Sequence, residues 1–315
     1  MKSKNLIAVV LIGILLAAVV FAPVQGHTRG FRTLHDFAHA PIFGCIALLA
    51  LFAFGSHRRL GQLPPWAQYL SAFCIAVTLG ALTEIAQIPV GRDASWMDLR
   101  SDVLGAGGFL GLYALFDTRL RRAGVRVIGA LAGVSLLAIH SMPLAAAVNA
   151  YLHREQAFPV LADFTQRIDT FFITPHWATV DLRPLPQQWA RRPGELAMRV
   201  SFAAGRWPGV DFAEPQPDWS GYRTLAIDIT NPVGDELILG FRVHDVHHDQ
   251  RYADRFNRTL RVPPLTRTVL RIPIADIRSG PLTRAMDLQR IADYLMFRSS
   301  ESVVGEMYVA GVWLE

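Results

Sequence analysis

Long apolar runs dominate the first half of the chain, and short runs of alternating character dominate the second half. A helix of about 20 apolar residues is long enough to cross the hydrocarbon core of a bilayer. The sequence therefore predicts membrane-spanning helices at about residues 5–24, 37–55, 66–88, 103–116 and 125–147. We expect the first run to be an uncleaved anchor, because its apolar core is long and "FAPVQG" is a poor signal-peptide cleavage site.

From residue 195 onward, apolar residues recur at every second position in segments such as "TLAIDIT" and "MYVAGVWLE". This period is typical of strands with one buried face, and "NPVGDE" is typical of a hairpin turn between them. The prediction is a multi-domain chain with three parts. These are an α-helical membrane bundle of about five transmembrane helices in residues 1–152, a linker and first part of the outer domain in 153–194, and an all-β sandwich in 195–315.

The charged residues indicate how the predicted helices are oriented. The net charge is +5, and many basic residues cluster beside apolar runs, as in "MKSK", "SHRRLG" and "DTRLRRAGVR". Basic loops favour the cytoplasmic side, so we predict a multi-pass inner-membrane protein with a cytoplasmic N-terminus and an extracytoplasmic C-terminal domain. The same clustering argues against a nucleic-acid partner. The two cysteines lie within apolar runs, where small packing residues are common.

The stretch "TEIAQIPVGRDASWMDLRSDVLGAGG" concentrates ionisable groups between two apolar runs, on the side where "LHDFAH" begins another predicted helix. An ionisable side chain at membrane depth is costly and is therefore a candidate for function. The alternative is that these are solvated interfacial residues and helix caps. The predicted ligand-binding residues are His35, Asp36, Glu84, Gln87, Arg92, Asp98 and Asp102, and the candidates for acid–base catalysis are His39, Glu84 and Asp98.

The segments "LHDFAH", "EIAQIPVGR", "MDLRSD" and "GAGG" together resemble the VanZ-like family of bacterial membrane proteins, over about residues 33–116. Asp102 stands where that family usually has Asn, and His35 stands at its acidic position. The resemblance implies a link to the cell envelope and to low-level glycopeptide antibiotic resistance, without an assigned reaction. If this region binds a head group, Arg92 would hold its phosphate. In the less favoured catalytic alternative, His39 would form an acid–base pair with Glu84 or Asp98.

The segments "DWSGYRTLAIDITNP", "LGFRVHD" and "VAGVWLE" resemble galactose-binding-like jelly rolls, which include some carbohydrate-binding modules, over about residues 207–315. The resemblance implies a recognition fold, and we expect Trp219 and Phe256 in its core. The loop "HDVHHDQRYADRF" could bind a metal, but no ligand pair has a firm spacing, so neither a metal nor a cofactor is predicted. The candidate glycan-binding residues are Trp207, Tyr222, His244, Asp245 and Tyr252.

Three functions remain open at this point. The favoured one is a cell-envelope membrane protein that binds a membrane lipid or lipid-linked glycan head group and, through its sandwich, an envelope polysaccharide, with envelope-biosynthesis proteins as possible partners. The second is a membrane enzyme acting on a glycan-lipid or phospholipid head group, which is less favoured because no nucleophile is evident. The third is a scaffolding subunit of polysaccharide export machinery.

Overall fold

A computed structural model of the protein describes residues 3–21, 26, 28–90, 94–298 and 305–315 of the 315-residue chain. The chain divides into two compact units, Met1–Ala147 and Val148–Glu315. The first unit is helical and the second is built from antiparallel strands. The predicted order, a helical region followed by a β-sandwich, is confirmed at this level.

Among the described residues, five long helices make up the first unit, and the last of them continues past Ala147 into the second. Their apolar sequences favour helix formation, and polar residues cap two of them: Thr28 Oγ1 accepts a hydrogen bond from the Phe31 amide at 3.2 Å, and Ser95 Oγ accepts one from the Asp98 amide at 3.2 Å. The helices are α1 (Ser3–Phe21), α2 (Arg29–Ser56), α3 (Pro65–Gln87), α4 (Trp96–Ala114) and α5 (Ala123–Ala157).

Among the described helices, α2, α3 and α5 are long and apolar enough to cross a membrane by length and composition. The apolar part of α1 that the structure describes is shorter, from Asn5 to Phe21. That all five helices cross a membrane stays a prediction.

Two helices begin earlier than the apolar runs suggested. Helix α2 begins at Arg29 rather than near residue 37, and α4 begins at Trp96 rather than near residue 103. The extra turns carry polar residues, so hydropathy alone does not mark them as helical. As a consequence, Asp98 lies buried in the first turn of a helix.

Helix α2 packs against α1, α3 and α4 in the first unit. Phe43 and Ile46 of α2 are fully buried in the bundle core with Ala76 of α3 and Ala106 of α4. Small residues let helix backbones approach closely in a bundle of this kind. Gly105 of α4 shows this most clearly, because a Cβ at that position would overlap the backbone of Ala40 in α2.

The second unit is a sandwich of two antiparallel sheets. The strands are β1 (Val160–Ala162), β2 (Ile173–His176), β3 (Ala178–Pro184), β4 (Leu196–Phe202), β5 (Gly209–Ala213), β6 (Thr224–Asn231), β7 (Leu237–Asp245), β8 (Phe256–Val262), β9 (Thr266–Pro273), β10 (Ile291–Arg298) and β11 (Gly305–Leu314). One sheet has the order β3-β4-β11-β6-β9, with β1 also paired to β11, and the other has the order β2-β5-β10-β7-β8. A short helix, α6 (Ile274–Arg278), follows β9.

Alternating apolar residues of both sheets fill the space between them, as in other sandwiches. Trp219 and Phe256 belong to this core, as the sequence predicted. The Trp219 ring is fully buried, and its Nε1 donates a hydrogen bond to the Gln216 carbonyl at 2.7 Å. The ring of Tyr294, on β10, stacks on Phe212 of β5 with a centroid distance of 4.5 Å.

The tight approach of α2 and α4 predicts the effect of one methyl group. We expect Gly105→Ala to lower the free energy of unfolding of the helical unit by about 1–3 kcal/mol, because the two backbones must separate. Gly124→Ala is the matched control, since nothing lies within 4 Å of a Cβ at Gly124. Thermal unfolding of the full-length protein in detergent micelles measures both changes. Equal unfolding temperatures for the two variants would contradict the close packing.

Candidate functional site

A cluster of four titratable side chains lies inside the helical unit. His39 comes from α2, Glu84 from α3, and Asp98 and Asp102 from α4, and all four are buried. The Nδ1 atom of His39 lies 3.0 Å from Oδ1 of Asp102, and its Nε2 atom lies 3.9 Å from Oδ2 of Asp98. The structure therefore brings together all three candidate catalytic residues and Asp102.

Only some of the carboxylate oxygens in this cluster accept a hydrogen bond from the described residues. Glu84 Oε2 accepts a hydrogen bond from the Ser95 amide at 2.6 Å, but Glu84 Oε1, Asp98 Oδ1 and Asp102 Oδ2 are buried and have no hydrogen-bond partner in the part of the chain that the structure describes. Among the described residues, Asp98 and Asp102 form ion pairs with His39 only. An oxygen buried in this way costs free energy unless a ligand or cation completes it.

The other predicted residues of the helical unit lie in different surroundings. Gln87 is buried and donates from Nε2 to the Val19 carbonyl at 3.2 Å, so it joins α3 to α1. His35 Nδ1 lies 3.8 Å from Oδ1 of Asp36, and Asp36 lines a separate small cavity with Arg100. Arg92, predicted to hold a phosphate, lies outside the described residues.

The second candidate site is an open groove of about 760 Å³ on the five-stranded sheet of the sandwich. Its floor is the sheet face that points away from the core. In register, Phe297 of β10 lies between Gly209 of β5 and Gly240 of β7. A Cβ at Gly240 would lie 2.5 Å from atoms of the Phe297 ring, so the glycine makes room for an aromatic ring on the sheet surface.

Exposed aromatic side chains flank this floor. Trp177, Trp207 and Tyr252 are 61%, 48% and 71% exposed, and all three line the groove. The two tryptophans adopt left-handed backbone conformations, with φ of 45° and 58°. Residues other than glycine rarely adopt such values, and strained positions of this kind concentrate at functional sites. The Trp207 ring meets Phe297 edge to face, with centroids 5.7 Å apart.

The groove is strongly basic, because four arginines and no carboxylate residue are among its lining side chains. Arg258 pairs with Asp276, whereas Arg206, Arg242 and Arg255 form no ion pair with a carboxylate within the described part of the chain. Burial and the nearby Arg242 guanidinium lower the pKa of Arg255. A groove with this charge favours an anionic ligand.

Of the predicted glycan-binding residues, Trp207 and Tyr252 line the groove and three do not. Tyr222 packs against the core, with its ring centroid 5.5 Å from that of Phe158. His244 is buried and its Nδ1 lies 2.7 Å from Oδ1 of Asp293. These polar side chains are held by partners inside the protein, which local sequence does not reveal.

Asp245, the third residue, belongs to a buried ionic network. Arg284 donates to both oxygens of Asp245, at 2.5 Å and 2.8 Å, and also to Asp254 at 2.6 Å. Burial alone would raise the pKa of Asp245, but Arg284 and the backbone amides of Asp287 and His247 hold it below its usual range. Asp245 therefore stabilises the fold and does not line the groove.

Sequence reasoning missed most of the groove. Arg242 could have been found, because strict alternation in "LILGFRVHD" places it on the face opposite the apolar residues of β7. Trp177 lies in a proline-punctuated segment with no regular period. The other lining residues that were missed are His176, Arg206, Gly209, Val210, Gly240, Phe241, Arg255, Asn257, Arg258, Thr259, Leu295, Met296 and Phe297.

No protein-family model matches the chain, and no curated protein matches it. Among solved structures, the chain is similar to a family 11 carbohydrate-binding module from Clostridium thermocellum in complex with a β-1,3-1,4-mixed-linked tetrasaccharide, with 19% identity, a TM-score of 0.37, and coverage of 49% of this chain and 93% of that one.

A family 30 carbohydrate-binding module from a Clostridium thermocellum cellulase is also similar, with 13% identity, a TM-score of 0.30, and coverage of 45% of this chain and 92% of that one. For an exo-β-agarase the values are 16% identity, a TM-score of 0.40, and coverage of 50% of this chain and 24% of that one. These similarities assign no ligand and no activity to this chain. The resemblance of the helical region to VanZ-like proteins stays a prediction.

The ionic network around Arg284 predicts a large effect on stability. We expect Asp245→Ala to cost about 2–3 kcal/mol, because Arg284 loses one of its two carboxylate partners and the backbone amides of Asp287 and His247 lose their acceptor. The matched control is Glu236→Ala, which breaks the exposed 2.7 Å pair with Arg261 and should cost less than about 1 kcal/mol. Thermal unfolding of the full-length variants measures both. An unchanged unfolding temperature for Asp245→Ala would show that the ion pair with Arg284 does not stabilise the fold. Asp245 would then again be a candidate binding residue.

Proposed function

We propose that the sandwich binds an anionic glycan in the groove of its five-stranded sheet, and that the helical unit anchors it in a membrane of the cell envelope. One observation supports the glycan proposal. Exposed aromatic rings line the same groove as three arginines that form no ion pair with a carboxylate of the described residues. The volume of about 760 Å³ is within the range of sites that bind small molecules or short oligomers.

The chemistry of the groove suits a charged sugar polymer. The C–H faces of sugar rings are apolar, so Trp177 and Trp207 can stack on them, while hydroxyl groups bond to polar side chains such as Asn257. A carboxylate or sulfate on the sugar would accept paired hydrogen bonds from an arginine. An anion between Arg242 and Arg255 would also relieve the repulsion between the two guanidinium groups.

The membrane role rests on the length and apolar character of α2, α3 and α5. Basic clusters beside the apolar runs support an inner-membrane protein with a cytoplasmic N-terminus and an extracytoplasmic sandwich. The bound glycan would then be an envelope polysaccharide. We further propose that the buried cluster around His39 faces a lipid or lipid-linked head group. Catalysis by His39 with Glu84 or Asp98, and scaffolding of an export complex, are the alternatives.

Binding of a charged polymer tests the groove directly. We expect full-length protein in detergent micelles to bind polygalacturonate fragments, measured by isothermal titration calorimetry, and to bind neutral dextran more weakly. The affinity for polygalacturonate should fall as salt is added, because salt screens exposed charges. Trp207→Ala and Arg242→Gln should each weaken binding by about ten-fold or more, as expected for central aromatic and arginine contacts.

Arg271→Gln is the matched control, because Arg271 is an exposed arginine on β9 of the other sheet, paired with Glu315. It should leave binding unchanged. Equal, salt-independent binding of dextran and polygalacturonate would show that the charge of the glycan does not contribute to binding. Binding of neither polymer, or full binding by both groove variants, would remove the groove itself.

A further inference from the structure

The cluster in the helical unit has the composition of a metal site. His39, Glu84 and Asp102 each offer one ligand atom, and these atoms lie within 4.8 Å of one another. Such a spacing suits atoms that share one metal ion, because metal–ligand bonds to nitrogen and oxygen are about 2.0–2.2 Å long. The three residues come from three different helices, α2, α3 and α4.

Burial explains why this cluster needs a cation. The exposed fractions of His39, Glu84 and Asp102 are 3%, 5% and 0%, and one oxygen of each carboxylate has no hydrogen-bond partner among residues 3–21, 26, 28–90, 94–298 and 305–315. Asp98 adds a third buried carboxylate 3.9 Å from Nε2 of His39. Carboxylates at this density in an apolar bundle repel each other, and a divalent cation would remove most of that repulsion.

We propose that His39, Glu84 and Asp102 bind a divalent transition-metal ion, with Asp98 as a fourth oxygen donor within reach. The ligand set decides the class of metal. An imidazole nitrogen favours zinc and its transition-metal neighbours over magnesium or calcium, which prefer oxygen ligands alone. One nitrogen and up to three carboxylate oxygens match a four-coordinate zinc site, and manganese is the closest competitor.

The surrounding helices are shaped for these carboxylates. A Cβ at Gly80 of α3 would lie 2.5 Å from Oδ2 of Asp102, so the glycine leaves room for the unpartnered oxygen. The Ser95 amide holds the other oxygen of Glu84 at 2.6 Å. Hydrogen bonds to ligating side chains orient those side chains and raise the affinity for the metal.

Two other His–Asp groups in the described residues differ from this cluster. In the group of His248, Asp249 and Asp254, the Asp254 oxygens accept from Arg284 at 2.6 Å and 3.1 Å. In the group of His153, Asp163 and Asp169, the Asp169 oxygens lie 3.1 Å from His153 Nε2 and 2.8 Å from the Gln166 amide. No carboxylate oxygen of these two groups is buried without a hydrogen-bond partner among the described residues, in contrast to the cluster around His39, so neither group requires a metal.

Metal analysis of the intact protein tests the proposal. We expect full-length protein, purified in detergent micelles through a tag without histidine and without chelator, to retain about one zinc or manganese ion per chain. Removal of the metal with EDTA should lower the unfolding temperature. Adding ZnCl2 or MnCl2 should restore it, whereas MgCl2 should not.

The variants locate the ion. His39→Gln and Asp102→Asn should lower the metal content by about ten-fold or more, since each removes a ligand. His140→Gln is the matched control, because His140 is a buried histidine of α5 whose Nε2 lies 3.1 Å from the Phe37 carbonyl, and it should keep the metal.

Two results would overturn the metal proposal. A wild-type protein that retains no metal, and whose unfolding temperature does not respond to ZnCl2 or MnCl2, overturns the proposal. Equal metal content in the wild type and Asp102→Asn also overturns it, because the ion then lies elsewhere. If a variant fails to fold, the comparison of EDTA-treated and reloaded wild-type protein still decides whether a metal binds. Glycan binding by the groove is measured separately and does not depend on this result.

Discussion

An ionisable side chain can be buried only if a partner compensates its charge, and this constraint orders both units of the protein. In the sandwich, Arg267 illustrates the satisfied case. Its guanidinium lies 2.6 Å from Glu195 and 2.8 Å from Asp228, and all three side chains are largely buried. Arg284 is held in the same way by Asp245 and Asp254. These arginines hold strands and loops together and are not available to a ligand.

The groove shows the opposite arrangement of the same residue type. Arg206, Arg242 and Arg255 face a cavity lined by aromatic rings, and no carboxylate of the described residues pairs with them. Because the groove is open, water and an anion can accept hydrogen bonds from these guanidinium groups. The contrast between paired and unpaired arginines, more than the sandwich fold, is what points to an anionic ligand, since one fold hosts many functions.

In the helical unit the same constraint on buried charge applies to carboxylates. Glu84, Asp98 and Asp102 are buried around one histidine, and three of their oxygens accept no hydrogen bond from any residue that the structure describes. Packing of α2 against α4 through Gly105 and of α3 against α4 through Gly80 brings these oxygens together. A bundle built only for stability would not keep carboxylates at such a position. Their burial shows that they are not solvated interfacial residues, and it supports the proposed metal site.

The sequence by itself determined the two kinds of architecture and part of each site. Hydrophobic period distinguishes helix from strand because it reports which face of one element is buried, and it placed Trp219 in the core. It also singled out His39, Glu84 and Asp102 as polar residues in an apolar region. Only the tertiary structure decided that these three meet, because they come from three helices and have no fixed spacing along the chain. The register of β5, β10 and β7 likewise decided that Phe297 and Arg242 share a groove with Trp207, since period predicts the face of a strand but not its neighbours.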